Sequence, residues 1–193
     1  MTGYHCGVTV PIDRRRLHDI ALRLFREFGY DTVSVAQIAE AAGVSRMTFF
    51  RHFSSKESVL VEDMFDPAIA LAVAAQPASA HPLERVVGGF LAALSEPEAA
   101  RELSSPQFRD RIQLVAATPS LRGAVWASSA ATEQAIREAL VSSGASADQA
   151  RAAAGAVMGA ATAILLGWAA EPEPSHVAMA LAGGLQSLLG SAR

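Results

Sequence analysis

Cysteine is almost absent. Cys6 is the only one in 193 residues, which excludes an internal disulfide and leaves no pair for a zinc finger. A reducing cytoplasm is the simplest setting for such a chain. Lysine is equally scarce: of sixteen basic residues only Lys56 is not arginine. Aromatics make up 6% of the chain, so the apolar share of 51% is carried largely by alanine, the strongest helix former. There is no convincing strand pattern, no internal repeat, and no apolar run near the N-terminus with the form of a signal peptide. The five histidines are scattered, without HExxH spacing and without a nucleophile and base set around them. An enzyme, a metal site and a bound cofactor are therefore not expected.

What is present is helix. Asp13 caps a helix running to about Phe28, with Leu17, Ile20, Ala21, Leu24, Phe25 and Phe28 as its apolar stripe. Ser54 or Ser55 caps a fourth helix that stops before Pro67, and Asp66-Pro67 starts the next one. Further starts fall at His81-Pro82, Thr118-Pro119, Ser146 and Ser175. The sum is an all-α chain of about nine or ten helices. Ala152 to Ala170 carries no charge and is long enough to span a bilayer. It is also rich in alanine and glycine and bracketed by Arg151 and Glu171. A helix buried on all sides inside an oligomer explains it as well, and no membrane is expected.

The charge is unevenly spread. Residues 1–60 hold eight basic and six acidic side chains, and residues 61–193 hold eight and thirteen. A mildly basic head on an acidic body suits a nucleic-acid reader carried by a domain that binds something else. The segment Ser34–Phe53 supports that division. Val35, Ile38, Ala39 and Ala42 fall on one helix face, and Gly43 then ends the helix in a conformation cheap only for glycine. Ser45 caps a second short helix, Arg46 to His52. Helix, tight turn and helix is the helix-turn-helix unit, whose second helix enters the major groove.

A longer set of residues now carries a resemblance. Phe28-Gly29-Tyr30, Thr32-Val33-Ser34-Val35, Ile38-Ala39, Ala42-Gly43-Val44-Ser45, Phe49-Phe50-Arg51-His52-Phe53 and Lys56-Glu57 follow in order. Over about residues 12–60 the chain resembles the N-terminal domain of TetR-family transcriptional regulators. Phe65-Asp66-Pro67 and Thr118-Pro119-Ser120-Leu121-Arg122 extend the likeness to the actinobacterial subgroup related to the mycofactocin regulator. The resemblance implies a flexible arm (residues 1–11) and a DNA-binding helix-turn-helix head (residues 12–58, motif 34–53). A larger helical domain (residues 59–193) would bind ligand and dimerise. It implies a homodimer on a palindromic operator, acting as a repressor and released by a hydrophobic or acyl-CoA-like effector. A DNA-binding regulator controlled by a protein partner, with no small-molecule effector, is the alternative. Where the family often has Tyr, this chain has Phe49 or Phe50, so phosphate contacts would lean on other residues.

The DNA-contacting set is then Ser34, Ser45, Arg46, Met47, Thr48, Phe49, His52 and Lys56. Arg46 suits a bidentate contact to guanine and Thr48 a neighbouring base. Met47 suits either a base or the core. Phe49 points away from Phe50 and Phe53, toward sugar or a thymine methyl, unless it packs on the first helix. The family places phosphate contact or helix-end bracing at His52. Ser34 and Lys56 sit at helix starts, where backbone amides favour phosphate. Gly155, Gly159 and Ala163 form one slim row, and Gly183 and Gly184 another. They suit either a four-helix dimer interface or packing within the chain. Phe90, Leu94, Phe108, Arg109, Leu114, Trp126 and Leu165 are candidate walls of an effector pocket, with ordinary core as the competing role.

Overall fold

The computed structural model describes residues 12–61, 68–172 and 175–190. Among them are eleven α-helices, one 3-10 turn and no strand. The helices are α1 (Arg14–Phe28), α2 (Val35–Ala41), α3 (Arg46–His52), α4 (Ser58–Val61), α5 (Ala68–Ala74), α6 (Pro82–Leu94), α7 (Pro97–Leu103), α8 (Pro106–Ala117), α9 (Arg122–Ser142), α10 (Ala147–Ala170) and α11 (Val177–Gly190). The turn Pro119–Leu121 precedes α9. The expected arm and the expected Asp66-Pro67 helix start lie outside the described residues. The chain divides into two compact units, residues 1–59 and 60–193.

In the first unit α2 packs on both α1 and α3. Three of its helix starts are written in side-chain caps. Asp13 accepts the Arg16 amide at 2.7 Å. Ser34 accepts the Gln37 amide at 3.3 Å while Gln37 accepts the Ser34 amide at 2.8 Å, a closed capping box. Ser45 accepts the Thr48 amide at 3.1 Å. Each cap satisfies an amide that the helix itself cannot. At the fourth helix the cap is Ser55, not Ser54: Ser55 and Ser58 exchange side chain to amide bonds in both directions. Gly29 and Gly43 close α1 and α2 at φ 85° and 67°, where a side chain is strained.

The α1 stripe is rotated from the expected one. Leu17, Ala21, Leu22 and Phe25 are buried, whereas Phe28 is 57% exposed. Leu22 was not part of the expected stripe. Phe28 sits in the last turn, directly before the Gly29 reversal, so the chain turns away before anything covers it.

In the second unit α10 is the central helix. It packs against α6, α8, α9 and α11, and Ala150, Ala154, Val157, Ala161 and Leu165 are buried along it. It is also long and apolar enough, by length and composition, to cross a membrane. Contact with four other helices accounts for its buried residues, 44% of that apolar window, while Ala152, Ala156, Ala163 and Gly167 are exposed. α5 packs directly on α6. A Cβ on Gly89 would lie 2.6 Å from the backbone of Val73, so only glycine permits this approach.

Candidate nucleic-acid interface

The second helix of the helix-turn-helix, α3, is seven residues long, and its two sides differ sharply. Phe49 and Phe53, one turn apart, are 0% and 2% exposed, with their rings 5.7 Å apart. Arg46, Met47, Phe50 and Arg51 face solvent. Their spacing of i, i+1, i+4 and i+5 makes one continuous face. Met47 is 77% exposed and Phe50 52%, so both are available to a partner. The face is thus a strip of two guanidinium groups around two large apolar side chains. It can offer bidentate donors to guanine and apolar contact to sugar or thymine methyl.

Two sequence expectations change here. Phe49 does not point outward; it fills the small core, and Phe50 takes the exposed position, standing edge-on to it at 5.4 Å. Arg51 was not among the expected contacts, yet it lies on the outer face. Met47 is resolved in favour of exposure. Thr48 is half-buried, and its hydroxyl lies 3.0 Å from that of Ser45, so both side chains are engaged at the cap. Ser34 is exposed in its capping box.

Brace residues hold the strip in place. Arg14 stacks its guanidinium 4.6 Å from the centre of the Phe53 ring and donates to the His52 carbonyl at 3.2 Å. A cation at the carbonyl end of α3 complements the helix dipole. His52 is half-buried at the same end, which suits bracing. Lys56 is placed differently from expectation. Its ammonium donates to the carbonyls of Tyr30 and Val33 at 2.9 and 3.1 Å and lies 4.1 Å from the centre of the Tyr30 ring. Two of its three N–H groups are therefore committed inside the head. Tyr30 in turn donates to Glu57 at 3.0 Å.

This cluster is strongly polarised. Burial pushes the Tyr30 hydroxyl well above the ordinary phenol range, and the neighbouring Glu57 and Asp31 carboxylates push it further. Glu57 is held below the usual carboxylate range, chiefly by a backbone hydrogen bond. The hydroxyls of Ser55 and Tyr30 and the charge of Lys56 add to that, and burial opposes it. Sequence alone gave no sign of these contacts, which join residues 23 to 27 positions apart; the adjacent Lys56-Glu57 pair was the nearest hint.

The second unit sorts its expected residues as well. Phe90, Phe108 and Leu165 are buried; Leu94, Leu114 and Arg109 are half-buried. Phe108 lies 6.4 Å from Trp168, centre to centre. Trp126 is 66% exposed and is corrected from pocket wall to surface: it follows the inward Val125 on α9, about 100° further round the helix. Arg109 donates to the Pro172 carbonyl at 3.3 Å. An open groove of about 330 Å³ lies elsewhere, between the end of α9 and the start of α10, lined by polar residues such as Gln134, Arg137 and Arg151.

Of the small residues, Gly155, Gly159 and Gly183 would each accept a Cβ with nothing within 4 Å, and Ala163 and Gly183 are exposed. Gly184 differs: a Cβ there would lie 2.5 Å from the end of Ile164. It serves packing of α11 on α10 within the chain. Among the described residues no group of three or more His, Cys, Asp or Glu side chains could hold a metal.

Comparison with known proteins covers both units. Residues 17–62 match the family model described as bacterial regulatory proteins, tetR family, and residues 82–192 match that of the MftR C-terminal domain. The transcriptional regulator TcmR of Streptomyces glaucescens is 45% identical over 76 residues, 38% of this chain. The match spans about a third of that relative, 34% of its length. The structure of the fatty acid degradation regulator FadR from Bacillus halodurans aligns with a TM-score of 0.55 at 20% identity, over 93% of this chain and 96% of its own. FadR from Bacillus subtilis, solved with stearoyl-CoA, aligns at 0.54 and 16%, over 91% and 97%. At such identities these structures establish the shared fold.

Proposed function

Because this chain belongs to the TetR family of bacterial regulatory proteins, we propose that it is a cytoplasmic, ligand-responsive repressor. It binds a palindromic operator as a homodimer and leaves the DNA when a hydrophobic or acyl-CoA-like molecule enters the second unit. The observation that carries this reading is the exposed face of α3, where Arg46, Met47, Phe50 and Arg51 stand outward over a Phe49-Phe53 core. Arg46 and Arg51 supply donors to bases or phosphate, and Phe50 supplies apolar contact. Ser34 and Ser45, at the starts of α2 and α3, lie where free amides favour a phosphate. Thr48 reads a base beside Arg46, His52 braces the helix end, and the remaining N–H of Lys56 reaches the backbone.

The open row of Gly155, Gly159 and Ala163 on α10, with Gly183 on α11, supports a dimer face. A Cβ on Gly155, Gly159 or Gly183 would meet nothing within 4 Å inside the protomer, whereas close approach of a second backbone would need these positions small. Two heads would then read half-sites about one helical turn apart, ~34–36 Å. Phe90, Leu94, Phe108, Leu114 and Leu165 are the proposed apolar surroundings of the effector, with Arg109 at their edge. The acyl-CoA assignment is supported by the stearoyl-CoA held by a protein of the same fold.

Capture and sequencing of genomic DNA by the purified chain tests the whole reading. A recovered palindrome, with affinity lost in Arg46→Ala far more on that site than on random DNA, supports it. Equal losses on both would reject the assignment of Arg46 to base reading. Exposed Leu71 and Trp126, on the packed pair α5 and α9, favour a second reading in which a protein partner replaces the small molecule. A thermal-shift screen with acyl-CoAs and fatty acids separates the two, since only a ligand that binds the folded chain raises the melting temperature.

A further inference from the structure

Arg85, in the first part of α6, is 2% exposed. Neither its Nε nor its Nη2 has a hydrogen-bond partner among the described residues. Its near neighbours on α6, Val86, Val87 and Phe90, are buried apolar side chains. Gly89, one turn further on, is pressed against the backbone of Val73. Residues four apart share a helix face, so Arg85 leaves α6 on the side turned to α5, one turn before the tightest point.

Two other covered arginines of this unit, Arg109 and Arg111, each leave a buried Nε unmatched, but in both Nη2 is engaged. Arg111 lies 3.3 Å from Glu102 and stacks over Phe108, and Arg109 donates to a carbonyl. A buried guanidinium without an acceptor is costly, and such groups are rare in folded proteins. The two unmatched nitrogens are informative together. Nε–H and the adjacent N–H of Nη2 form one edge of the guanidinium, with parallel donors spaced for the two oxygens of a carboxylate or phosphate.

We propose that Arg85 is the anion-recognition residue for the effector: its Nε–Nη2 edge receives a carboxylate or phosphate carried by an otherwise apolar molecule. This rests on the regulator reading above and narrows the effector to an amphipathic anion. It assigns the head group to Arg85 rather than to Arg109, whose guanidinium already holds a carbonyl.

The test uses the full chain with laurate, lauroyl-CoA and methyl laurate as probes, and Kd from calorimetry. At least one anionic probe should bind about ten-fold or more tighter than the neutral ester, the scale of a hydrogen-bonded charge pair. Preference for laurate identifies a carboxylate, and preference for lauroyl-CoA alone identifies phosphate. Arg85→Met keeps the volume and removes the donors. It should reduce the ratio to less than about three-fold, leave ester binding intact, and melt no lower than the unliganded wild type, because a buried unpaired charge adds nothing to stability. The proposal is overturned by equal binding of anion and ester in the wild type, by no probe binding, by a ratio unchanged in Arg85→Met, or by a variant that fails to fold. The wild-type comparison stands without any variant. Operator retention by the unliganded chain, measured in parallel, reports on the regulator reading separately.

Discussion

Phe49 and Phe50 are adjacent and chemically identical, and their substitution by alanine should fail in opposite ways. Phe49 is wholly buried against Phe53 and the edge of Phe50. Truncating a core Phe to Ala costs about 3–5 kcal/mol. A core the size of the first unit supplies on the order of 3–5 kcal/mol in total, so Phe49→Ala should melt the head. Phe50 is 52% exposed. Of the ~200 Å² that a Phe side chain can bury, about 100 Å² remains for DNA, worth at most ~2.5 kcal/mol at ~25 cal/mol per Å². Incomplete contact brings this to roughly 1–2 kcal/mol, a five- to thirty-fold loss of operator affinity, with stability changed by about 1 kcal/mol or less.

The assay must see the head alone. Both tryptophans, Trp126 and Trp168, lie in the second unit, so their fluorescence is blind to it. Hydrogen exchange of the α2 and α3 amides is the appropriate probe, paired with anisotropy on labelled operator. Phe49→Ala should abolish protection in these helices while the second unit keeps its own. Phe50→Ala should keep protection and lose affinity. A stable Phe49→Ala head with weakened DNA binding, or an unfolded Phe50→Ala head, would refute the assignment of the two faces.

Four further outcomes follow from the geometry. Lys56→Ala removes two hydrogen bonds and a cation–π contact, so head protection should fall by roughly 1–2 kcal/mol. If the third N–H meets phosphate, the salt slope of DNA binding should also fall by about one. Glu57 has a lowered folded-state pKa; its contribution is present above the unfolded carboxylate value and lost as pH falls through the lower folded one. Acid titration of head stability should therefore show a step in that window that Glu57→Gln lacks. Gly89→Ala places a methyl 2.6 Å from the Val73 backbone and should destabilise the second unit by about 1–3 kcal/mol in calorimetry. Gly159→Leu meets nothing within 4 Å of its Cβ, so the protomer should keep its melting behaviour while sedimentation shows monomer in place of dimer; an unchanged dimer removes α10 from the interface.

What was legible in the sequence was local or long. Caps such as Asp13, Ser34, Ser45 and Ser146 act over three residues, so the chain spells them out. Helices such as α1 and α10, at 15 and 24 residues, repeat their pattern often enough to be seen. The phase of α3 was not legible for the same reason inverted. Seven residues make about two turns, and apolar side chains at both 49 and 50 are compatible with two rotations about 100° apart. Phe53 does not choose between them, since it lies one turn from either. The choice is made by the rest of the head, including Arg14, which covers Phe53 from 39 positions away.

Glycine shows where pattern and structure part company. Gly89, Gly184 and Gly159 all sit within apolar helices of the second unit and read alike in the chain. In the fold, Gly89 is small because the Val73 backbone occupies the space of its side chain, and Gly184 because Ile164 does. A Cβ on Gly159 would meet nothing within 4 Å. Since glycine in a helix costs about 1 kcal/mol relative to alanine, a glycine with no neighbour inside its own protomer is a standing cost that internal packing does not offset. A second backbone lying across α10 would offset it, as Val73 does for Gly89. In the proposed dimer, the open row on α10 and the closed one between α5 and α6 would reflect the same packing rule, met once within the chain and once by its copy.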